Sequence, residues 1–167
     1  MRNFVKKTIF ILLLLLSLGT MHYFSSRDGV TSNSQSNAVI DIVDQIRDKV
    51  TLRNENLIKI KDVIINKLRK YNKSFLVRKA AHFSMYAIIG GLLMIVVYSF
   101  LKNILISAKF SFICTALYAI FDEVFQLTVN GRAGSIKDVI IDSTGAFFSI
   151  LIISIILLTK QKLKRKI

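Results

Sequence analysis

Between Phe110 and Thr128 the chain reads FSFICTALYAIFDEVFQLT, an apolar run of membrane length broken by Asp122 and Glu123, with Gln126 one turn beyond Asp122. A short loop carrying Arg132 follows, and the next apolar segment opens with Asp138 and Asp142. These are four of the ten carboxylates in the chain. An ionised side chain in hydrocarbon costs at least ~2.5 kcal/mol, so such groups face a bundle interior and have partners. His82, with Tyr86 at i+4, places a third polar cluster at the start of another apolar segment.

The residue types limit the chemistry. A zinc-protease helix requires His-Glu-x-x-His, so that two imidazoles face one ion. This chain offers Asp-Glu-x-x-Gln and has two histidines in all, which excludes that reaction. Asp122, Glu123, Asp138 and Asp142 are oxygen donors of the kind a hard divalent cation accepts, and such an ion could meet a lipid phosphate. Asp122 and Asp142 are also a conceivable proton-sharing pair. Ser84 and Ser135 lie close by but complete no Ser–His arrangement. No catalytic residue, no metal ligand set and no cofactor is assigned.

Plainer roles compete with these. Asp122 or Glu123 can pair with Arg132 or Lys137, and Asp138 can serve as a first-turn acid, favoured at a helix N-terminus. His82 alone reads as an interfacial histidine. Convergence argues the other way. Tyr118, Asp122 and Gln126 share one face at i, i+4, i+8, with Glu123 alongside, and Asp138 and Asp142 share another, followed by Gly145. Two helical turns rise roughly 11 Å, so all these groups fall in one shallow layer. The expected site is therefore His82, Tyr86, Asp122, Glu123, Gln126, Arg132, Asp138 and Asp142, with Arg132 holding the carboxylates.

Positioning such a layer requires membrane helices. The chain has 167 residues, 53% of them hydrophobic, with 20% charged, and the two kinds are segregated along it. There is no proline to kink a helix. Cys114 is single, so no intrachain disulfide forms, and it reads as a small buried hydrophobe. Thr8 to Phe24 is a first apolar run behind Arg2, Lys6 and Lys7; bulky Met21, His22 and Tyr23 stand where a cleavage site needs small residues, so it reads as a signal anchor. Ser25 to Asn37 reads as a polar linker. From Ala38 to Tyr71, Val39, Val43, Ile46, Val50, Leu57, Ile60 and Ile64 recur at spacings of four and three, broken at Arg53. That is an amphipathic helix or pair of helices, packed on the bundle or on lipid, with a self-associating coiled coil as the alternative. Phe83–Leu101, Phe110–Thr128 and Val139–Leu158 each approach the ~20 residues that cross a ~30 Å hydrocarbon core. The predicted fold is all-α, a polytopic four-span bundle with an amphipathic segment between the first and second spans. Its parts are an anchor (1–24), an extracytoplasmic segment (25–77), a three-helix membrane domain (78–160) and a basic tail (161–167).

The net charge of +14 would fit nucleic acid, but membrane-flanking lysines explain it more simply, because anionic lipid attracts them. The basic residues before the first span, the tail lysines, and Lys102 with Lys109 all belong on the cytoplasmic side. Arg69, Lys70, Lys73, Arg78 and Lys79 dissent, crowding the opposite end of the second span. Both termini are expected in the cytoplasm, which puts the polar layer at the outer face.

The second half resembles the VanZ-like family of bacterial membrane proteins. The matching stretches are RKAAHFSMYAIIGGLL, YAIFDEVFQL and GRAGSIKDVIIDSTGA, which carry His82, Tyr86, Gly90, Asp122, Glu123, Gln126, Arg132, Asp138, Asp142 and Gly145. The resemblance runs from Arg78 to Leu158. The family often has an acid beside Tyr86; this chain has Met85 there, and no acid is assumed. The family takes its name from a teicoplanin-resistance protein, and glycopeptides act on lipid-linked peptidoglycan precursor outside the membrane. The resemblance thus implies a bacterial cytoplasmic-membrane protein acting on the cell envelope and on glycopeptide susceptibility. Its implied partners are membrane lipid and a lipid-linked precursor or headgroup, not nucleic acid. Three functions stay open: an acid–Arg–His pocket that engages a headgroup, an intramembrane enzyme on a lipid-linked phosphate, and a small cation- or proton-coupled transporter. The nearly apolar inner halves of the last two spans speak against transport.

Overall fold

The computed structural model describes residues 2–51 and 73–164. They form five helices and no strand: α1 (Arg2–Ser25), α2 (Gly29–Thr51), α3 (Lys73–Leu101), α4 (Ile104–Gln126) and α5 (Ile136–Lys164). All but α2 are long and apolar enough to cross a membrane. The architecture is the expected helical bundle of a multi-pass membrane protein. Helix α3 is its hub, packing on α5 most extensively and on α1, α4 and α2 as well.

Local chemistry sets the helix starts. The Asn103 side chain accepts from the Ile106 N–H at 3.0 Å and caps α4. Asp28 does the same for α2, accepting from the Thr31 N–H at 2.8 Å and from the Thr31 hydroxyl at 2.9 Å. These bonds hold the exposed Asp28 carboxyl below its ordinary pKa. Gly131, at φ 71°, turns the chain between α4 and α5 in a conformation that favours glycine. Its neighbour Asn130 accepts from the Gly29 N–H at 3.1 Å, so the turn also receives the start of α2.

Polarity is inside out. Helix α4 shows Leu117, Phe121 and Val124 on its exposed side and buries Ser107, Ser111, Thr115, Ala119, Asp122 and Gln126. Lipid tails are as apolar as leucine, so small residues that admit close backbone approach drive helix packing in a bilayer. The α3–α5 crossing uses the same device. A Cβ added to Gly90 would lie 2.9 Å from the Ala146 Cβ, and one on Gly145 would strike the Phe83 carbonyl.

Several expectations need correction. The supposed linker from Ser25 to Asn37 is helical from Gly29, because the Asp28 cap starts α2 and Ser32 and Ser36 bury on the bundle. The second span begins at Lys73, ten residues early, because Arg78, Lys79 and His82 interrupt the apolar run while packing still stabilises the helix through them. The connection before α4 shrinks to Lys102 and Asn103. Of the amphipathic stripe, Val43 and Ile46 are exposed and Val39 is half-exposed, so of the two expected surfaces this face of α2 is left for lipid rather than for close packing on the bundle. The stripe positions Arg53, Leu57, Ile60 and Ile64 lie outside the described residues. Finally, the deep half of α4 buries hydroxyls, so the inner halves are less apolar than their composition indicates.

Candidate functional site

One end of the bundle gathers the C-termini of α1 and α4, the N-terminal turns of α3 and α5, and the start of α2. Helical period brings the acids inward there. Asp122 is 1% exposed and Asp142 0%, and Glu123, Gln126, Asp138 and Tyr86 are buried with them. The three polar clusters expected from their spacing do meet.

Their partners differ from one acid to the next. Asp122 Oδ2 accepts from the Ser25 hydroxyl at 2.9 Å and from Gln126 Nε2 at 3.1 Å. The first bond crosses from α1; the second is the i, i+4 pair on α4. Glu123 Oε2 accepts from the Ser135 N–H at 2.7 Å, tying α4 to the start of α5. Asp138 sits in the first turn of α5 and forms an ion pair with Lys79 of α3. Asp142 Oδ2 stands 3.4 Å from His82 Nδ1. Among the described residues at this end, the buried atoms Asp142 Oδ1, Glu123 Oε1, the Tyr86 hydroxyl and Arg27 Nε have no hydrogen-bond partner. The Tyr86 ring packs on Tyr118 at 5.9 Å between centroids, and the Tyr118 hydroxyl donates to the Leu18 carbonyl at 3.1 Å.

Arg132 does not hold the carboxylates. Its Nε donates to the Arg27 carbonyl at 3.0 Å and its Nη2 to the Phe24 carbonyl at 3.0 Å. These are carbonyls at and beyond the end of α1, where helix geometry leaves oxygens without intrahelical donors. A cation at a helix C-terminus is also favoured by the dipole. Burial pulls the Arg132 guanidinium below its ordinary pKa, and nearby Arg78 adds to the effect. Arg132 therefore pins α1 and acts on Asp122 and Glu123 only through space, with no hydrogen bond or ion pair to either.

Two cavities open at this end and share Arg78, His82 and Arg132. The polar one, about 450 Å³, is lined by Arg78, Lys79, His82, Arg132, Lys137 and Asp138, among others. The apolar one, about 360 Å³, lies among α1, α2 and α3, with Met21, Phe24, Val39, Val77, Ala81 and Met85 in its walls. His82, Asp122 and Asp142 are placed so that one ligand atom from each falls within 4.8 Å of the others. Sequence reasoning missed Ser25, because nothing in the uniformly apolar α1 marks which face meets α4. It also missed Arg78 and Lys79 as cavity residues, since they read as flanking charge.

A family model, VanZ/LLP1, matches residues 10–157. The match takes in α2 and most of α1, well beyond the Arg78–Leu158 stretch that carries the recognisable motifs. No curated protein and no solved structure matches the chain. A match over most of the chain is decisive: this protein belongs to the VanZ/LLP1 family.

Proposed function

We propose that this protein engages the phosphate-bearing headgroup of a membrane lipid in the polar cavity, with a hydrocarbon chain in the adjoining apolar one. The observation that carries this reading is the pairing of the two cavities through Arg78, His82 and Arg132. Four cationic side chains and His82 line the polar cavity against a single acid, Asp138. Guanidinium groups match phosphate oxygens in geometry as well as charge. An amphipathic ligand fits a space with one charged and one apolar end. On this reading both termini are cytoplasmic and this end lies at the outer face of a bacterial cytoplasmic membrane, which the basic flanks support. A role in the cell envelope, including glycopeptide susceptibility, is what the family resemblance implies for a site on that side.

Unbiased lipidomics of membranes with the protein, without it, and with Arg78→Ala tests the reading. One phosphate-bearing lipid class should differ only when the unaltered protein is present; identical profiles in all three would remove its basis. Orientation has its own test. In a Cys114→Ala background, a cysteine at Ser34 or Ala133 should react with an impermeant thiol reagent in intact cells, and one at Lys162 should not. The opposite labelling would move the site to the cytoplasm.

One observation favours a second reading, an intramembrane enzyme on a lipid-linked phosphate. An imidazole beside a fully buried carboxylate, as in His82 and Asp142, is the arrangement of a general base and its orienting group. On this reading Asp142→Asn leaves the membrane level of the protein normal and abolishes its envelope phenotype. Transport has no such support, because no acid or base lies among the buried hydroxyls of α4, Ser107, Ser111 and Thr115.

A further inference from the structure

The four acids do not form one group. Lys79 holds Asp138, and the Ser135 N–H with the α5 turn holds Glu123. That leaves Asp122 and Asp142, both essentially without solvent contact, and His82 between them and the cavities. Among the described residues, Asp122 receives only a hydroxyl and an amide, and no cationic side chain forms an ion pair with it. Asp142 has only His82. The guanidinium of Arg132 acts on Asp122 only at a distance, without an ion pair, so the two buried carboxylates have one imidazole as their sole cationic contact among the described residues. Each buried ion costs several kcal/mol unless a counter-charge meets it.

From this geometry we infer a binding site for a zinc-class divalent cation, with one ring nitrogen of His82 and one oxygen each from Asp122 and Asp142 as ligands. The ligands come from α3, α4 and α5, so the ion would staple the three helices that make the core of the bundle.

Four observations support the site independently of the headgroup reading. The His82 Nδ1 to Asp142 Oδ2 separation of 3.4 Å is long for a hydrogen bond. It equals the spacing of two ligands that each lie about 2.1 Å from one tetrahedral ion, which is about 3.4 Å. Asp142 Oδ1 is fully buried and has no partner, so the carboxylate has capacity that the protein does not use. The Tyr86 hydroxyl, in electrostatic range of both Asp122 and Asp142, is likewise buried without a partner. Such orphaned groups call for a bound water or ion. Lastly, Ser25 and Gln126 both donate to Oδ2 of Asp122, so the side chain is oriented while its other oxygen receives no protein hydrogen bond. Hydrogen bonds that orient a ligating carboxylate are the usual second layer of a metal site.

The donor set selects the ion. One imidazole and two carboxylates suit zinc, and manganese less well; magnesium and calcium prefer oxygen throughout and a larger ligand number. Three protein ligands leave a fourth position of the tetrahedron for water or a substrate oxygen, the pattern of catalytic rather than structural zinc. With the trio within 4.8 Å, the side chains draw in by about 1 Å to grip one ion.

The full-length protein, purified in detergent micelles and stripped with chelator, is titrated with Zn²⁺, Mn²⁺ and Mg²⁺. Metal content by mass spectrometry and the thermal midpoint are both followed. The unaltered protein should take up one Zn²⁺ per chain, raise its midpoint with added Zn²⁺ by mass action, and show no response to Mg²⁺. Cobalt in place of zinc should give the visible absorption of a tetrahedral ion. His82→Gln and Asp142→Asn should each remove that spectrum and weaken Zn²⁺ binding by about 100-fold or more, and Ser25→Ala should weaken it by about tenfold while keeping the spectrum. Asp41→Asn, an exposed acid on α2, is the control and should bind as the unaltered protein does. No saturable Zn²⁺ or Co²⁺ uptake by the unaltered protein overturns the inference, whether or not any variant folds. So does uptake that His82→Gln and Asp142→Asn leave intact. Because no lipid enters this titration, its outcome is separate from that of the headgroup reading.

Discussion

The two ends of the bundle are both rich in charge, and they use it in opposite ways. At the end where α3 meets α4, Lys6, Lys7 and Lys102 are of one sign and are satisfied by rings and solvent: Lys7 lies 4.3 Å from the centre of the Phe100 ring and Lys102 5.7 Å from that of Tyr98. The Gln161 amide adds a bond to the Tyr98 hydroxyl at 3.0 Å. At the other end the charges are of both signs, and the acids are inside. Snorkelled lysines at an interface cost little and specify which side of the membrane they occupy. Buried acids cost much and specify nothing about sidedness, so a protein keeps them where they act. One end has the character of an address; the other holds the candidate site.

If that contrast is correct, substitutions at the acidic end should be far more disruptive than those at the basic end. The largest effect is expected for Lys79→Met, which strands Asp138 beside α3. Removing one partner of a buried pair costs roughly 3–5 kcal/mol, whereas removing both costs less. Denaturation in mixed micelles should show a severe loss for the single variant and partial recovery when Asp138→Asn is added. Equal stability of the single and double variants would mean that the pair carries no weight.

Next comes Arg132→Ala, which deletes two charge-assisted bonds to α1 and should cost about 1.5–3 kcal/mol. The sequence invites the expectation that Asp122→Asn or Glu123→Gln would rescue it, on the view that Arg132 neutralises these acids. The geometry says otherwise, and no rescue is expected. Protease accessibility of the segment between α1 and α2 should rise in Arg132→Ala, because the guanidinium holds that corner down.

At the basic end Asn103→Ala removes only the α4 cap, a loss of about 1 kcal/mol. A loss there as large as at Lys79 would break the comparison. Smallest is the acid response of α2. Its Asp28 cap has a depressed folded pKa, so its contribution is complete above the ordinary value of 3.8 and fades as pH falls through the depressed one. Hydrogen exchange at Thr31 and Ser32 should quicken at that acid limit and not at neutral pH.

What was legible in the sequence was whatever leaves a period. Asp122 and Gln126, Asp138 and Asp142, and His82 and Tyr86 fall one turn apart, and apolar runs of fixed length set the helices around them. The unread parts leave no period. Arg132 could be seen as a cation seeking partners, but its partners are backbone carbonyls, which every residue has. Ser25 matters because α1 passes α4 at that point, a fact of packing between residues 97 apart. The start of α3 was hidden because Phe75, Leu76 and Val77 stand between Lys73 and the Arg78–Lys79 pair, too short an apolar run to read as part of a span. The deep serines of α4 were outvoted by the apolar residues between them, although their spacing of four was on view.

The Ser25 to Asp122 bond also has a bearing on how the protein comes off the ribosome. A growing chain makes α1 and α3 before α4 and α5, so the hydroxyl, imidazole and ammonium groups of Ser25, His82 and Lys79 precede every acid of the site. The carboxylates thus arrive at a cradle of donors that already stands in the membrane. An order with the acids first would leave them to cross hydrocarbon bare, at ~2.5 kcal/mol or more apiece. Gene order here is itself a means of insertion, and a circular permutant opening at Asn103, with α4 and α5 made first, should insert poorly although every contact in its finished fold is unchanged.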